Sequence, residues 1–313
     1  MKVKLTILLL LFLPLALCAE VPLEYPNLRE STGIAPAYFG PNALPVPDML
    51  DGRTQEKLRI ELAADGYFGY QKDQTADIFA RIYVPLWTPR VNLTVWMPVM
   101  EWYRMTPERQ RTCRLQDTTQ IAGHEAGDVY ISTDIQVLKA RKYTPDIAFR
   151  AAFKTASGGS FDKARYFDNC AYWFDLAVGK SLYFGKSSNQ LSNGQSSNQL
   201  SNGQSSNSQF ELRLAGSLGF LCWQTDNGRQ NDALMYGIQL LAKYEYLSLR
   251  ATWGGYMGWE KDGDRPMTLK LCLAGHAKGF EPFVAYQYGI KDYPFHQIRL
   301  GLAYHINILP KKK

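Results

Sequence analysis

The sequence predicts an all-β fold: a transmembrane, antiparallel, up-and-down β-barrel of about 12 strands. Three observations carry that reading. Segment after segment alternates between apolar and polar residues, the pattern of a strand with two unlike faces. The polar face is heavily charged, which suits a wet interior and a lipid exterior better than a packed core. Most segments reach about ten residues, longer than the 5–6 usual for strands of soluble domains.

The chain opens with Lys2 and Lys4, an apolar run from Leu5 to Leu17, then Cys18, Ala19 and Glu20. A basic start, a short apolar core and small residues after it make a secretory signal over residues 1–19. A retained anchor helix is opposed by Pro14 and by a run too short to span comfortably. Acylation of Cys18 is opposed by the bulk of Leu17. Export places the barrel in the outer membrane of a Gram-negative bacterium. Its lipid is then the surroundings, and the barrel-assembly machinery a partner during biogenesis.

Residues 20–55 carry Pro22, Pro26, Pro36, Pro41, Pro45 and Pro47 and show no sustained period. They are too rich in proline for a helix and too apolar for a plain linker. Two arrangements stay open. One is a plug inside the lumen, with Tyr38, Phe39, Leu44 and Val46 against the wall. The other is a leader across the periplasmic mouth.

The barrel is expected over residues 56–309. In the first strand, Lys57 to Gln71, Leu58, Ile60, Leu62 and Phe68 alternate with Arg59, Glu61 and Asp65. The second sets Ile78, Ala80 and Ile82 against Asp77 and Arg81. The third, Val91 to Val99, sets Val95 and Met97 against Asn92 and Thr94. The fourth sets Ile131 and Ile135 against Asp128 and Asp134, and the fifth sets Phe149 and Phe153 against Arg150 and Lys154. The sixth sets Phe174 and Leu176 against Asp175.

The second half continues the series. The seventh strand sets Leu212, Leu214 and Leu218 against Glu211 and Arg213. The eighth sets Ile238 and Leu240 against Gln239 and Lys243, and the ninth sets Leu249 and Trp253 against Arg250 and Thr252. In the tenth, Leu269, Leu271 and Leu273 face away from Lys270 and Cys272. The eleventh, Phe283 to Ile290, is ambiguous in phase. The twelfth sets Ile298, Leu300 and Leu302 against Arg299 and His305.

The charged phase is assigned to the lumen. A soluble barrel would turn its apolar face inward, and twelve strands enclose more space than Leu and Val can fill. The lumen-lining candidates are Arg59, Glu61, Asp77, Arg81, Asp128, Asp134, Arg150, Asp175, Arg213, Arg250 and Arg299. Two readings of them stay open. The charges neutralise one another as a wall network that narrows the pore, or the arginines form a ladder that guides an anionic solute.

An even strand number puts both ends of the barrel on the periplasmic side. Residues 104–126 and 156–169 then form long outer loops, while 88–90, 139–145 and 277–281 form tight inner turns, the usual asymmetry. Residues 187–209, "SSNQLSNGQSSNQLSNGQSSNSQ", repeat a nine-residue unit. Their Ser, Asn, Gln and Gly cannot bury enough apolar surface to offset ordering. The strand count places this insertion on the periplasmic side, as a docking tether or a tolerated hairpin expansion.

Cys113 and Cys170 fall in or beside the two long outer loops. A disulfide between them suits an oxidising compartment, although spacing does not establish it. Cys222 and Cys272 read as small strand residues. His124, His276, His296 and His305 show no ligand spacing, so no metal or other cofactor is expected. No His stands two residues before a strand Ser, the H-x-S pattern of outer-membrane lipid hydrolases, and the chain is read as a non-enzyme. The net charge of +6 falls to +4 without Lys2 and Lys4, which gives no support to a nucleic-acid partner.

The stretch Ala126–Gly158, with Gly127-Asp128 opening one strand and Pro145 preceding the next, resembles the strand-turn-strand of outer-membrane transporter-like barrels. That family is labelled for the MetA pathway of phenol degradation. The element "YFGPNALPVPD" (Tyr38–Asp48) resembles a leader in barrels of similar size. The resemblance implies a pore or channel for small or apolar molecules and transfers no site. The chain departs from such barrels at "HINILPKKK", where Tyr304 is the last lipid-facing aromatic. The expected function is passive passage of small solutes through a channel or transporter. The alternative is a non-conducting structural or surface-binding barrel.

Overall fold

The computed structural model describes residues 34–115, 122–167, 169–184, 210–225 and 230–309. The expected signal, residues 20–33 and the repeat at 187–209 lie outside the described residues.

Twelve long strands close on themselves. β1 (Leu58–Gly69), β2 (Gln74–Pro85) and β3 (Val91–Arg104) are followed by a four-residue strand, β4 (Ala122–Glu125). Then come β5 (Tyr130–Leu138), β6 (Asp146–Lys154), β7 (Ala171–Phe184), β8 (Phe210–Gln224) and β9 (Gln230–Tyr244). The ring ends with β10 (Leu247–Gly258), β11 (Met267–Gly275), β12 (Phe280–Lys291) and β13 (Phe295–Ile306). Neighbours pair antiparallel, and β1 closes on β13 from Leu58 opposite Ile306 to Gly69 opposite Phe295. β3 is shared, since β5 pairs with Val91–Trp96 and β4 with Glu101–Arg104. All twelve alternating segments of the sequence are strands of this ring.

The two faces divide as the alternation requires. Leu62, Leu214, Leu218 and Leu300 point outward and are 59–65 % exposed, while Glu61, Arg213 and Arg299 are buried inside. A soluble barrel would show the opposite arrangement. Closure of the twelve long strands, β13 onto β1, removes the open edges that a flat sheet would expose to hydrocarbon.

One register shift changes the phase. Ile78 faces Met100 but Phe79 faces Pro98, which leaves Val99 as an extra residue in β3. Asn92 and Thr94 are buried before this bulge, Glu101 and Tyr103 after it. β12 resolves its ambiguity with Ala285 and Gln287 buried and Val284 exposed. Phe283 turns inward to line the lumen, and this large apolar group on the polar face blurs the alternation.

The connections differ between the two ends. One end has tight turns at 86–90, 139–145, 245–246 and 276–279. Lys278 and Gly279 both have positive φ, 47° and 90°, as a type I′ hairpin turn requires. The other end carries the longer intervals 105–121, 155–170 and 259–266. Within the first of these, in the interval expected as an outer loop, lies a six-residue helix, α1 (Pro107–Thr112). Pro107 opens it, and Thr106 Oγ1 accepts from Arg109 N at 3.2 Å.

Residues 34–56 run inside the ring from the long-loop end to the short-turn end before β1 begins, and for that position alone the segment is termed the plug. At one extreme, Trp223 Nε1 donates to Ile34 O at 2.9 Å and Ala37 N to Gly263 O at 3.2 Å. At the other, Thr54 Oγ1 donates to Pro89 O at 2.9 Å and Lys139 Nζ meets Glu56 at 2.7 Å. Four prolines keep the segment from joining the sheet. Its carbonyls are satisfied by inward side chains instead: Tyr293 donates to Pro41 O, Tyr130 to Asn42 O and Tyr256 to Leu44 O, at 3.0–3.3 Å.

Candidate functional site

The plug meets two different environments along its length. Near the long-loop end, it is buried in an apolar cluster with Tyr103, Tyr130, Trp173, Trp223 and Tyr256. Asn42 anchors it there: Nδ2 donates to Asp77 Oδ2 at 2.6 Å and to Glu101 Oε2 at 2.8 Å, while Oδ1 accepts from Tyr67 OH at 3.0 Å. Glu101 also receives Arg165 Nε at 2.8 Å and Tyr166 OH at 3.0 Å. α1 completes the seal. Its Arg109 donates to Ala37 O, Phe39 O and Asp73 Oδ2, each at 3.2 Å. Buried charges are tolerated when paired and hydrogen-bonded, as Glu101, Asp73, Arg109 and Arg165 are; Asp77 makes no ion pair among the described residues and relies on Asn42.

Toward the short-turn end the plug becomes acidic. Asp48 Oδ1 lies 2.7 Å from Lys270 Nζ, and Oδ2 lies 2.8 Å from Arg81 Nη2. Asp51 pairs with Arg53 at 2.8 Å and with Arg213 at 3.4 Å. Gln136 Nε2 donates to Gly52 O at 2.7 Å. Beside the plug runs a cavity of about 250 Å³, bounded by β1, β2 and β6 to β13 and reaching the short-turn end at Gln55, Ser248, His276 and His305. A second cavity of about 130 Å³ lies on the plug's other flank, against Phe79, Thr94 and Trp96.

Comparison with known proteins gives no matching family model and no matching curated protein. Among solved structures, an outer-membrane channel from Pseudomonas putida F1 aligns at a TM-score of 0.45 and 10 % identity, over 85 % of this chain and 97 % of that one. The transport unit of the autotransporter AIDA-I from Escherichia coli aligns at 0.42 and 10 %, over 85 % and 95 %. The KdgM porin aligns at 0.41 and 11 %, over 79 % and 98 %. These likenesses are too distant to carry an activity to this chain. The family resemblance of residues 126–158 has no matching family model behind it.

The lumen candidates fall into pairs and stragglers. Arg299 meets Asp65 at 2.6 Å, Arg150 meets Asp175 at 2.7 Å, and Arg213 meets Asp146 at 2.9 Å. Arg59 pairs with Glu61 and, at 3.1 Å, with Glu281. Asp134 accepts from Ser132 and Thr94, at 3.1 and 3.2 Å. Asp77 accepts from Asn42. Asp128 lies between β4 and β5, where it meets Lys154 Nζ at 2.6 Å. Burial raises its pKa, against the pull of that ammonium. Arg250 is exposed to the larger cavity and makes no ion pair among the described residues.

Cys113 and Cys170 are both free thiols, the first buried and the second exposed. Burial pushes the Cys113 thiol above its ordinary pKa. Among the described residues, no group of three His, Cys, Asp or Glu side chains could hold a metal. Ser248 Oγ lies 2.9 Å from His276 Nε2, with Glu281 Oε2 3.5 Å from His276 Nδ1. That same oxygen is 2.9 Å from His305 Nε2, so one carboxylate is shared between the two imidazoles.

Sequence reasoning missed Asn42, Asp48, Asp51, Asp73, Glu101, Arg109 and Arg165. Six of them lie in the plug or in connections, where no period marks a facing direction. Glu101 lies beyond the bulge, where the period resumes in the opposite phase. Pro98, which cannot donate to a ladder, is the one local signal of that break.

Proposed function

We propose that the chain is an outer-membrane channel for small solutes, located in a Gram-negative outer membrane, and that the plug gates it. The observation that carries this reading is the closed ring with leucines outside and paired charges inside, the division a lipid-spanning barrel needs. The cavity beside Asp48 supplies the start of a path from the short-turn end. The apolar seal around Asn42 stops that path, so passage requires the plug to shift. Lipid is the surrounding partner, and the barrel-assembly machinery inserts the chain.

Gly237 supplies the test. A Cβ built there would lie 2.9 Å from Met49 Sδ, so Met49→Cys with Gly237→Cys would tie the plug to β9. The pair is placed in a chain whose other cysteines beyond the signal are replaced, and conductance is read in planar bilayers. Conduction should fall on oxidation and return with reductant. Equal conduction in both states would show that the plug is not the gate. Silence in both states and in the parent would favour the non-conducting alternative.

A further inference from the structure

Most inward cations are neutralised by acids of the wall itself. Asp65 serves Arg299, Asp175 serves Arg150, Asp146 serves Arg213, and Glu281 serves Arg59. Arg81 on β2 and Lys270 on β11 differ. The wall acid Glu61 stands opposite Arg81 in the β1–β2 register, but among the described residues the only ion pair either cation makes is with Asp48, which belongs to the plug. One carboxylate therefore bridges two cations on well-separated staves, one oxygen to each.

The clamp is preformed and accessible. The Arg81 guanidinium carbon sits 4.8 Å from the Phe79 ring centroid, 5.6 Å from that of Trp96 and 5.9 Å from that of Tyr83. These rings hold the guanidinium in place. Its Nε is buried without a hydrogen-bond partner, a donor still unspent. The Asp48 side chain is 39 % exposed, so the clamp faces the cavity rather than a dry core. Arg250 and Met49 line the same cavity, adding a further cation and apolar surface.

We infer that Arg81 and Lys270 form a binding site for the carboxylate of a small organic acid, and that Asp48 keeps it closed by occupying it. The plug thus carries a copy of its ligand's reactive feature. An incoming acid exchanges one carboxylate for another, with no bond made or broken. The displaced Asp48 takes the middle of the plug away from the wall. The inference deepens the channel reading above by naming the solute class, and it rests on that reading for its consequence, though not for binding itself.

Binding and conduction are therefore measured separately on the full-length protein. Benzoate is titrated by calorimetry in detergent, with benzyl alcohol as the uncharged control. Asp48→Asn should raise benzoate affinity at least tenfold, and Lys270→Gln added to it should remove the gain. Benzyl alcohol should respond to neither change. Equal benzoate affinity in the parent and Asp48→Asn, or no binding in either, overturns the site. If Asp48→Asn does not fold, judged by loss of its heat-modifiable gel shift, the parent and Lys270→Gln decide: equal affinity overturns the site and a loss supports it. In bilayers, binding without conduction would sink the channel and leave the site standing. Conduction without benzoate binding would do the reverse.

Discussion

Arg165 Nε donates to Glu101 Oε1 at 2.8 Å, joining the connection before β7 to the inward face of β3 with both side chains fully buried. The link exists because the β3 bulge turns Glu101 inward. Removing one member of a buried pair leaves the other uncompensated, which costs about 3–5 kcal/mol. Arg165→Met is therefore expected to lower stability by that order, and Arg165→Met with Glu101→Gln by less. Urea unfolding in detergent, followed by tryptophan fluorescence, reads both. Additive losses would mean that the two side chains do not act as a pair.

Gly52 holds the foot of the plug. Its φ is +86°, and a Cβ there would come within 2.8 Å of Gly179 N and 2.9 Å of Asp146 O. Gly52→Ala combines a left-handed strain with backbone contact, about 1–3 kcal/mol in all. The barrel should still insert and keep its heat-modifiable shift. A Met49→Cys reporter beside it should react at least several-fold faster with a polar thiol reagent. An unchanged rate would show that the foot does not hold the plug.

The outer face gives a prediction independent of the lumen. Leu218 is the most exposed leucine of β8 at 65 % and lies near that strand's middle. An arginine on the lipid face near the midplane costs about 2–4 kcal/mol. Leu218→Arg should lower folding yield in lipid vesicles, whereas a conservative Leu218→Ile should not. Equal yields would mean that this face does not meet lipid.

The repeat is attached between Phe184 and Phe210, which pair at the short-turn end. Deleting residues 187–205 should leave the heat-modifiable shift intact, because each doubling of loop length costs only about 0.6 kcal/mol. With the long connections facing outward, protease added to intact cells should not cut there. Cleavage at the repeat would invert the orientation.

Strand existence and phase were legible in the sequence because a period of two maps directly onto the two faces of a strand. Arg59, Arg150 and Asp175 could be assigned inward by counting alone. What could not be read was pairing, because register between strands is set by turns and bulges that the period does not encode. Nothing in Arg81 or Lys270 indicated that their partner would be Asp48, a residue outside the barrel strands. The plug itself was legible only as proline-rich and aromatic. Its path depends on tyrosines 67, 130, 256 and 293, which are dispersed through the chain and converge only after the ring has closed.

Nine residues separate Asp48 from the start of β1 at Leu58. That short tether has a quantitative consequence. Even a flexible short chain holds a group near its site at an effective concentration on the order of millimolar, and the wall contacts of Asn42 and Gly52 make that figure a lower bound here. Arg81 and Lys270 therefore always experience a competitor at that level. A free acid of equal intrinsic affinity therefore reaches half occupancy only at ~1 mM or above, and a micromolar acid must bind at least roughly a thousand times more tightly to do the same. The tether thus fixes a threshold for the barrel: traces of solute leave the thread in place, and abundance displaces it.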